Sequence, residues 1–134
     1  MLTAEQEKLL DEACARHGLD LVVGFGSHFG GKSTARSDVD VAVRVRPGAP
    51  TPDRLDLIAD LAKVFGENVD VTVLNEIESE TLRFEIFRDG KALFEGEPDV
   101  YACEASLAIR RYADTAWLRE RSARALKNAL ERHR

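Results

Sequence analysis

The chain has 134 residues, enough to bury roughly two thirds of the surface its unfolded form exposes without a disulfide or metal staple. Acidic residues outnumber basic ones 24 to 19, a formal net charge of −5, which disfavours a general reader of phosphate backbones. Apolar residues at 44% and charged residues at 32% suit one soluble domain over residues 1–134, with no apolar run near the ~20 residues of a membrane span.

Thr3-Ala4-Glu5-Gln6 is a Thr-x-x-Gln capping box and opens a helix. Leu9, Leu10, Ala13 and Cys14 form its apolar stripe, and Gly18 stops it. Leu19 to Phe25 is short and rich in apolar and β-branched residues, and predicts a strand. A glycine-rich loop over 26–37 follows. Asp38 to Val45 alternates: Val39, Val41, Val43 and Val45 share one face, and Asp38, Asp40, Ala42 and Arg44 the other.

Thr51 is the expected cap of a second helix, with Pro52 at its first position. Leu55, Ile58, Leu61, Ala62 and Phe65 are its expected inward residues. Val69 to Leu74 is another alternating strand, with Asp70 and Thr72 opposite the valines. A short helix is expected over Ile77 to Phe87, then a turn at Asp89-Gly90 and a strand around Ala92 to Phe94. From Pro98 the chain reads helical almost to its end, with Ala123, Leu126 and Leu130 as an apolar stripe among charges. The order predicts an α/β (α+β) fold: a small mixed sheet with flanking helices, a core over about 19–95 and a helical segment over about 98–133.

Two cysteines, Cys14 and Cys103, lie far apart with no ligand spacing, which suits reduced thiols in the cytoplasm. The first residues carry neither a basic nor an apolar signal region. His17 and His133 are expected at helix C-terminal ends, where a cation is favoured.

Residues 26–33, Gly-Ser-His-Phe-Gly-Gly-Lys-Ser, literally match the phosphate-binding loop Gly-x-x-x-x-Gly-Lys-Ser. That loop must open a long helix whose first turn holds phosphates. Here only four residues separate Ser33 from the next strand, so such a helix has no room. A second pattern fits better: Gly26-Ser27, ten residues, Asp38-Val39-Asp40, then Asp70 on another strand. On a strand, residues two apart project from one face roughly 6.5 Å from each other. Asp38 and Asp40 therefore point the same way, and Asp70 joins them if the two strands pair. Three gathered carboxylates are costly unless a cation neutralises them, and hard oxygen donors suit Mg²⁺. Gly26 and Ser27 offer backbone N–H groups and a hydroxyl to a phosphate chain, and Lys32 is either a cation near that phosphate or a solvated loop residue.

These residues resemble the nucleotidyltransferase superfamily that includes DNA polymerase β. More closely they resemble the minimal nucleotidyltransferase (MNT-type) antitoxins paired with HEPN toxins. The stretch Arg111-Tyr112-Ala113-Asp114, then Trp117-Leu118-Arg119-Glu120-Arg121, looks like the terminal helix of those antitoxins. One position departs from the pattern: Gly30 stands where relatives often have Arg, which implies a triphosphate contact either weakened or moved to Lys32 or Arg36.

The resemblance implies a polymerase β-like fold and a cytoplasmic adenylyltransferase. Asp38, Asp40 and Asp70 would be its catalytic and metal-binding residues, with two Mg²⁺ ions. Gly26, Ser27, Lys32 and Arg36 would bind ATP. AMP would pass to a tyrosine hydroxyl of a cognate HEPN ribonuclease toxin and silence it. Alternatives are a small-molecule nucleotidyltransferase of the aminoglycoside-modifying kind and a catalytically silent binding antitoxin. The charged C-terminal helix is expected to be a solvated face or the face that docks the partner.

Overall fold

A computed structural model describes residues 2–26 and 39–133. The element order is α1 (Ala4–His17), β1 (Leu19–Phe25), β2 (Val39–Val45), α2 (Arg54–Phe65), β3 (Val69–Val73), α3 (Glu80–Asp89), β4 (Lys91–Glu95), α4 (Val100–Asp114) and α5 (Ala116–Arg132). A single 3-10 turn, Leu74–Glu76, follows β3. The four strands form one mixed sheet in the order β3-β2-β1-β4. β1 is antiparallel to both β2 and β4, and β2 and β3 are parallel. A parallel pair needs a crossover connection, and α2 supplies it.

The alternation of β2 sorts the two sides of the sheet. Val41 and Val43 face α1 and α2, where they meet Leu10, Cys14, Leu57, Leu61 and Val71 in one buried cluster. Ala42 faces the other way, into a second cluster with Leu21, Val23, Leu74, Ile86, Phe87 and Ala108 from β1, the 3-10 turn, α3 and α4. Leu57 and Leu61 are fully buried, and truncating a leucine so placed typically costs about 2–5 kcal/mol.

The ends of the helices show what the sequence encodes locally. At α1 the expected capping box forms: Gln6 N donates to Thr3 Oγ1 at 3.1 Å, and Thr3 N donates to Gln6 Oε1 at 2.9 Å. Gly18 closes this helix in the left-handed region, φ +67°. At α2 the cap is Asp53 rather than Thr51, because its carboxylate accepts from Asp56 N at 3.0 Å. Its buried residues are Leu57, Leu61 and Val64. Leu55, expected inward, is 78% exposed; the helix is apolar on several sides, and the stripe that wins is the one α1 and the sheet cover.

The expected Ile77–Phe87 helix begins later, at Glu80, where Ser79 Oγ accepts from Leu82 N. The expected C-terminal helical segment consists of α4 and α5, which part at Thr115. There the Thr115 hydroxyl donates to the Arg111 and Tyr112 carbonyls at 3.0 and 3.2 Å, ending α4 without glycine or proline. No helix among the described residues is long and apolar enough to cross a membrane.

Candidate functional site

The parallel pairing of β2 and β3 sets Asp40 directly opposite Asp70. Each is the second residue of its strand. Both project from the sheet face that carries Ala42 and Thr72, since valines alternate with them on the other face. In the antiparallel ladder Phe25 lies opposite Asp40, so Phe25, Asp40 and Asp70 form one row across three strands. Neighbouring strands are about 4.8 Å apart, which brings the two carboxylates side by side. Asp40 is half-buried and Asp70 is exposed.

Gly26 completes the row. It follows the last residue of β1 with φ +81°, the left-handed region. A Cβ built on it would run into Asp40 Oδ2. Glycine is therefore needed here twice over, for its backbone angle and for the space the Asp40 carboxylate occupies.

Arg44 lies on the same sheet face as Asp40, roughly 13 Å along β2. Its guanidinium is paired with Asp20 of β1, and its Nε lies 3.4 Å from Glu104 of α4. Burial raises the Asp20 carboxyl above its ordinary value; Arg44 opposes the rise, and Glu104 and Glu97 add to it. This cluster ties α4 to the sheet at the end away from Asp40 and Asp70.

Of the expected site, Asp40, Asp70 and Gly26 are brought together. Asp38, Ser27, Lys32 and Arg36 lie outside the described residues, as does Gly30. Among the described residues no group of three or more His, Cys, Asp or Glu side chains gathers closely enough to hold a metal. The donors that are placed still suit Mg²⁺ by their chemistry. Two carboxylates stand in register at strand N-terminal ends, beside a glycine whose missing side chain leaves one of them room. Hard oxygen donors, few in number and open to a phosphate-bearing substrate, are what Mg²⁺ takes.

One buried polar cluster is not legible in the sequence. His17 ends α1 as expected, but it is buried: its side chain is 6% exposed, and Nε2 lies 2.7 Å from Asp60 Oδ2. Arg16 Nη1 reaches the same oxygen at 2.8 Å. Burial works against the Asp60 charge, yet the His17 hydrogen bond, with Arg16 and Lys63, holds its carboxyl below the ordinary value. The cluster joins α1 to α2 behind the sheet, so its role is structural. Its only sequence signal is an Arg-His pair ending one helix and aspartates one turn apart on another.

Known proteins share this fold. Residues 7–99 match the family model described as polymerase beta, nucleotidyltransferase. No curated protein matches the chain significantly. Among solved structures, a chain of a toxin–antitoxin complex crystallised with AMP-PNP superposes with a TM-score of 0.72 at 24% identity, over 90% of this chain and 98% of that one. A chain from the complex of tri-AMPylated Shewanella oneidensis HEPN toxin with MNT antitoxin superposes at 0.66 and 22% identity, over 92% of this chain and 97% of that one. A chain assigned as a minimal nucleotidyltransferase is 31% identical, with a TM-score of 0.54 over 66% of this chain and 88% of its own length.

Proposed function

The chain belongs to the polymerase beta nucleotidyltransferase family, and on that premise we propose that it transfers AMP from ATP to a tyrosine hydroxyl of a cognate HEPN ribonuclease toxin, acting as the antitoxin. The observation that carries this reading is the Asp40–Asp70 pair in register beside Gly26. The similarity to a chain crystallised with AMP-PNP supports a nucleotide substrate, and the similarity to an MNT antitoxin bound to an AMPylated HEPN toxin supports the acceptor.

In this reading the attacking oxygen is the acceptor hydroxyl. Its bond to the α-phosphorus forms, the bond from that phosphorus to the β-phosphate bridging oxygen breaks, and pyrophosphate leaves. Asp70, the exposed member of the pair, takes the hydroxyl proton. Asp40, set against Gly26, is a fixed carboxylate and one of the oxygen donors that would hold Mg²⁺ beside the phosphate chain. Gly26, Ser27, Lys32 and Arg36 would bind the phosphate chain. Asp38, Asp40 and Asp70 would together hold Mg²⁺, which when bound neutralises phosphate charge and lowers the pKa of the attacking hydroxyl.

The test is mass spectrometry of a cognate HEPN-domain toxin, after incubation with the chain, ATP and Mg²⁺. The acceptor should gain whole AMP units on a tyrosine. An acceptor of unchanged mass overturns the proposal.

A further inference from the structure

The face by which α5 leaves the body is apolar and uncovered. At its first turn Arg119 lies over the Tyr112 ring, with its guanidinium carbon 3.5 Å from the ring centre. It also donates to the Tyr112 carbonyl and to Thr115 Oγ1, each at 2.7 Å. Tyr112 stacks on Phe84 of α3, with ring centres 4.0 Å apart and planes 8° from parallel. This column of α3, α4 and α5 side chains fixes the direction in which α5 departs. Ala123, Leu126 and Leu130 follow Arg119 at steps of four, three and four, so they continue the same helix face. They line one shallow groove with Lys127 and Glu131. Yet no residue of α5 is buried, and Leu126 and Leu130 are 62% and 64% exposed. An isolated helix of this length is marginal in water, so a stripe left bare is one that a partner covers.

Two observations choose the occupant. The first is charge. α5 carries Arg119, Arg121, Arg124, Lys127 and Arg132 against Glu120 and Glu131. Packing α5 on a second α5 sets like charge against like, whereas a surface bearing carboxylates is attracted. The second is position. α3 and α4, to which the column ties α5, cover the sheet face from which Asp40 and Asp70 project. An occupant of the stripe is thus held on the side of the sheet where transfer takes place.

We infer that the Ala123–Leu126–Leu130 stripe docks the acceptor protein, through an apolar helical surface of that protein flanked by carboxylates. The inference rests on the proposed function, in which the acceptor is a protein. It adds that acceptor affinity is set by α5, apart from the carboxylates that do the chemistry.

The experiment compares the full-length chain with the Leu126→Ala/Leu130→Ala double variant, which keeps helix propensity, and with Leu126→Asp. A cognate HEPN-domain toxin is the probe. Binding is measured by titration, and transfer with α-phosphate-labelled ATP at varied acceptor concentration. Expected are a rise of tenfold or more in acceptor Kd and KM, with kcat at saturating acceptor, KM for ATP and Tm unchanged. Labelled acceptor with an unaltered KM in both variants overturns the docking site while leaving the transfer reading intact. Binding that the variants abolish, with no label transferred by the natural sequence, overturns the transfer reading and keeps the docking site. A fall in Tm places the stripe in the protein's own core and overturns the inference. So does a dimer that the variants dissociate, or binding of RNA or anionic vesicles that they abolish.

Discussion

Asp40 on β2 lies directly opposite Asp70 on β3, each one residue into its strand, in the parallel half of the sheet. A like-charged pair in cross-strand register works against folding by about 0.2–1 kcal/mol. It is retained where a cation or a reaction uses it. Replacing Asp70 with Asn should therefore leave the Tm unchanged or slightly raised. The same change should lower AMP transfer by about 100-fold or more, since a lost metal or proton contact is worth several kcal/mol of barrier. Mg²⁺ should raise the Tm of the natural sequence but not of the variant. Equal stabilisation of both by Mg²⁺ would show that Asp70 is not a ligand.

Gly26→Ala tests the other side of the row. The left-handed backbone costs an L-residue about 1–2 kcal/mol, and the added methyl meets the Asp40 carboxylate. A Tm drop of that order is expected together with a loss of transfer larger than the stability change explains. Gly48→Ala is the control: it shares a positive φ of 85° but has open space where the Cβ would go. It should lose stability alone. Equal activity in the two variants would show that the Gly26 cradle does not matter to the chemistry.

Much of this row is legible in the amino-acid sequence. A period of two is unmistakable when valines alternate with aspartates, so the face that carries Asp40 and the isolation of Asp70 follow from the pattern. Their meeting does not follow, because parallel pairing is a choice of topology that no local pattern encodes. The same reason hides the burial of His17, whose partner Asp60 lies 43 residues away. Leu55 defies the expected stripe because α2 is apolar on more than one side, and only packing selects its phase. The break at Thr115 leaves no sequence signal because hydroxyl and guanidinium bonds to carbonyls end α4 there, rather than a helix-breaking residue.

The Asp60 cluster predicts an acid limb of stability. Its carboxyl sits below the ordinary value of 3.8 in the folded protein. The stabilisation is therefore present above the unfolded value, near pH 4, and is lost as pH falls from there through the folded value. Asp60→Asn should remove that part of the acid-unfolding curve and cost about 1.5–3 kcal/mol at neutral pH, the range for a hydrogen bond to a charged group. The check is Tm against pH for both proteins. An identical acid limb would contradict the linkage.

The two cysteines should differ in reactivity. Burial, with Asp11 nearby, pushes the Cys14 thiol up to about 12, whereas Cys103 is exposed on α4. At pH 8 a thiol reagent should titrate one group in the folded protein and two in denaturant, since the thiolate is the reactive form. Two fast groups in the native protein would mean that α1 does not stay packed on the sheet.

Attack on an α-phosphorus at the Asp40–Asp70 row is read most directly from the fate of labelled phosphate. The direct measurement supplies the chain and its HEPN partner with Mg²⁺ and ATP labelled on either the α- or the γ-phosphate. The α-label should appear on the HEPN protein and the γ-label should leave in pyrophosphate. Transfer of the γ-label to protein, or no transfer of either label, would contradict the account.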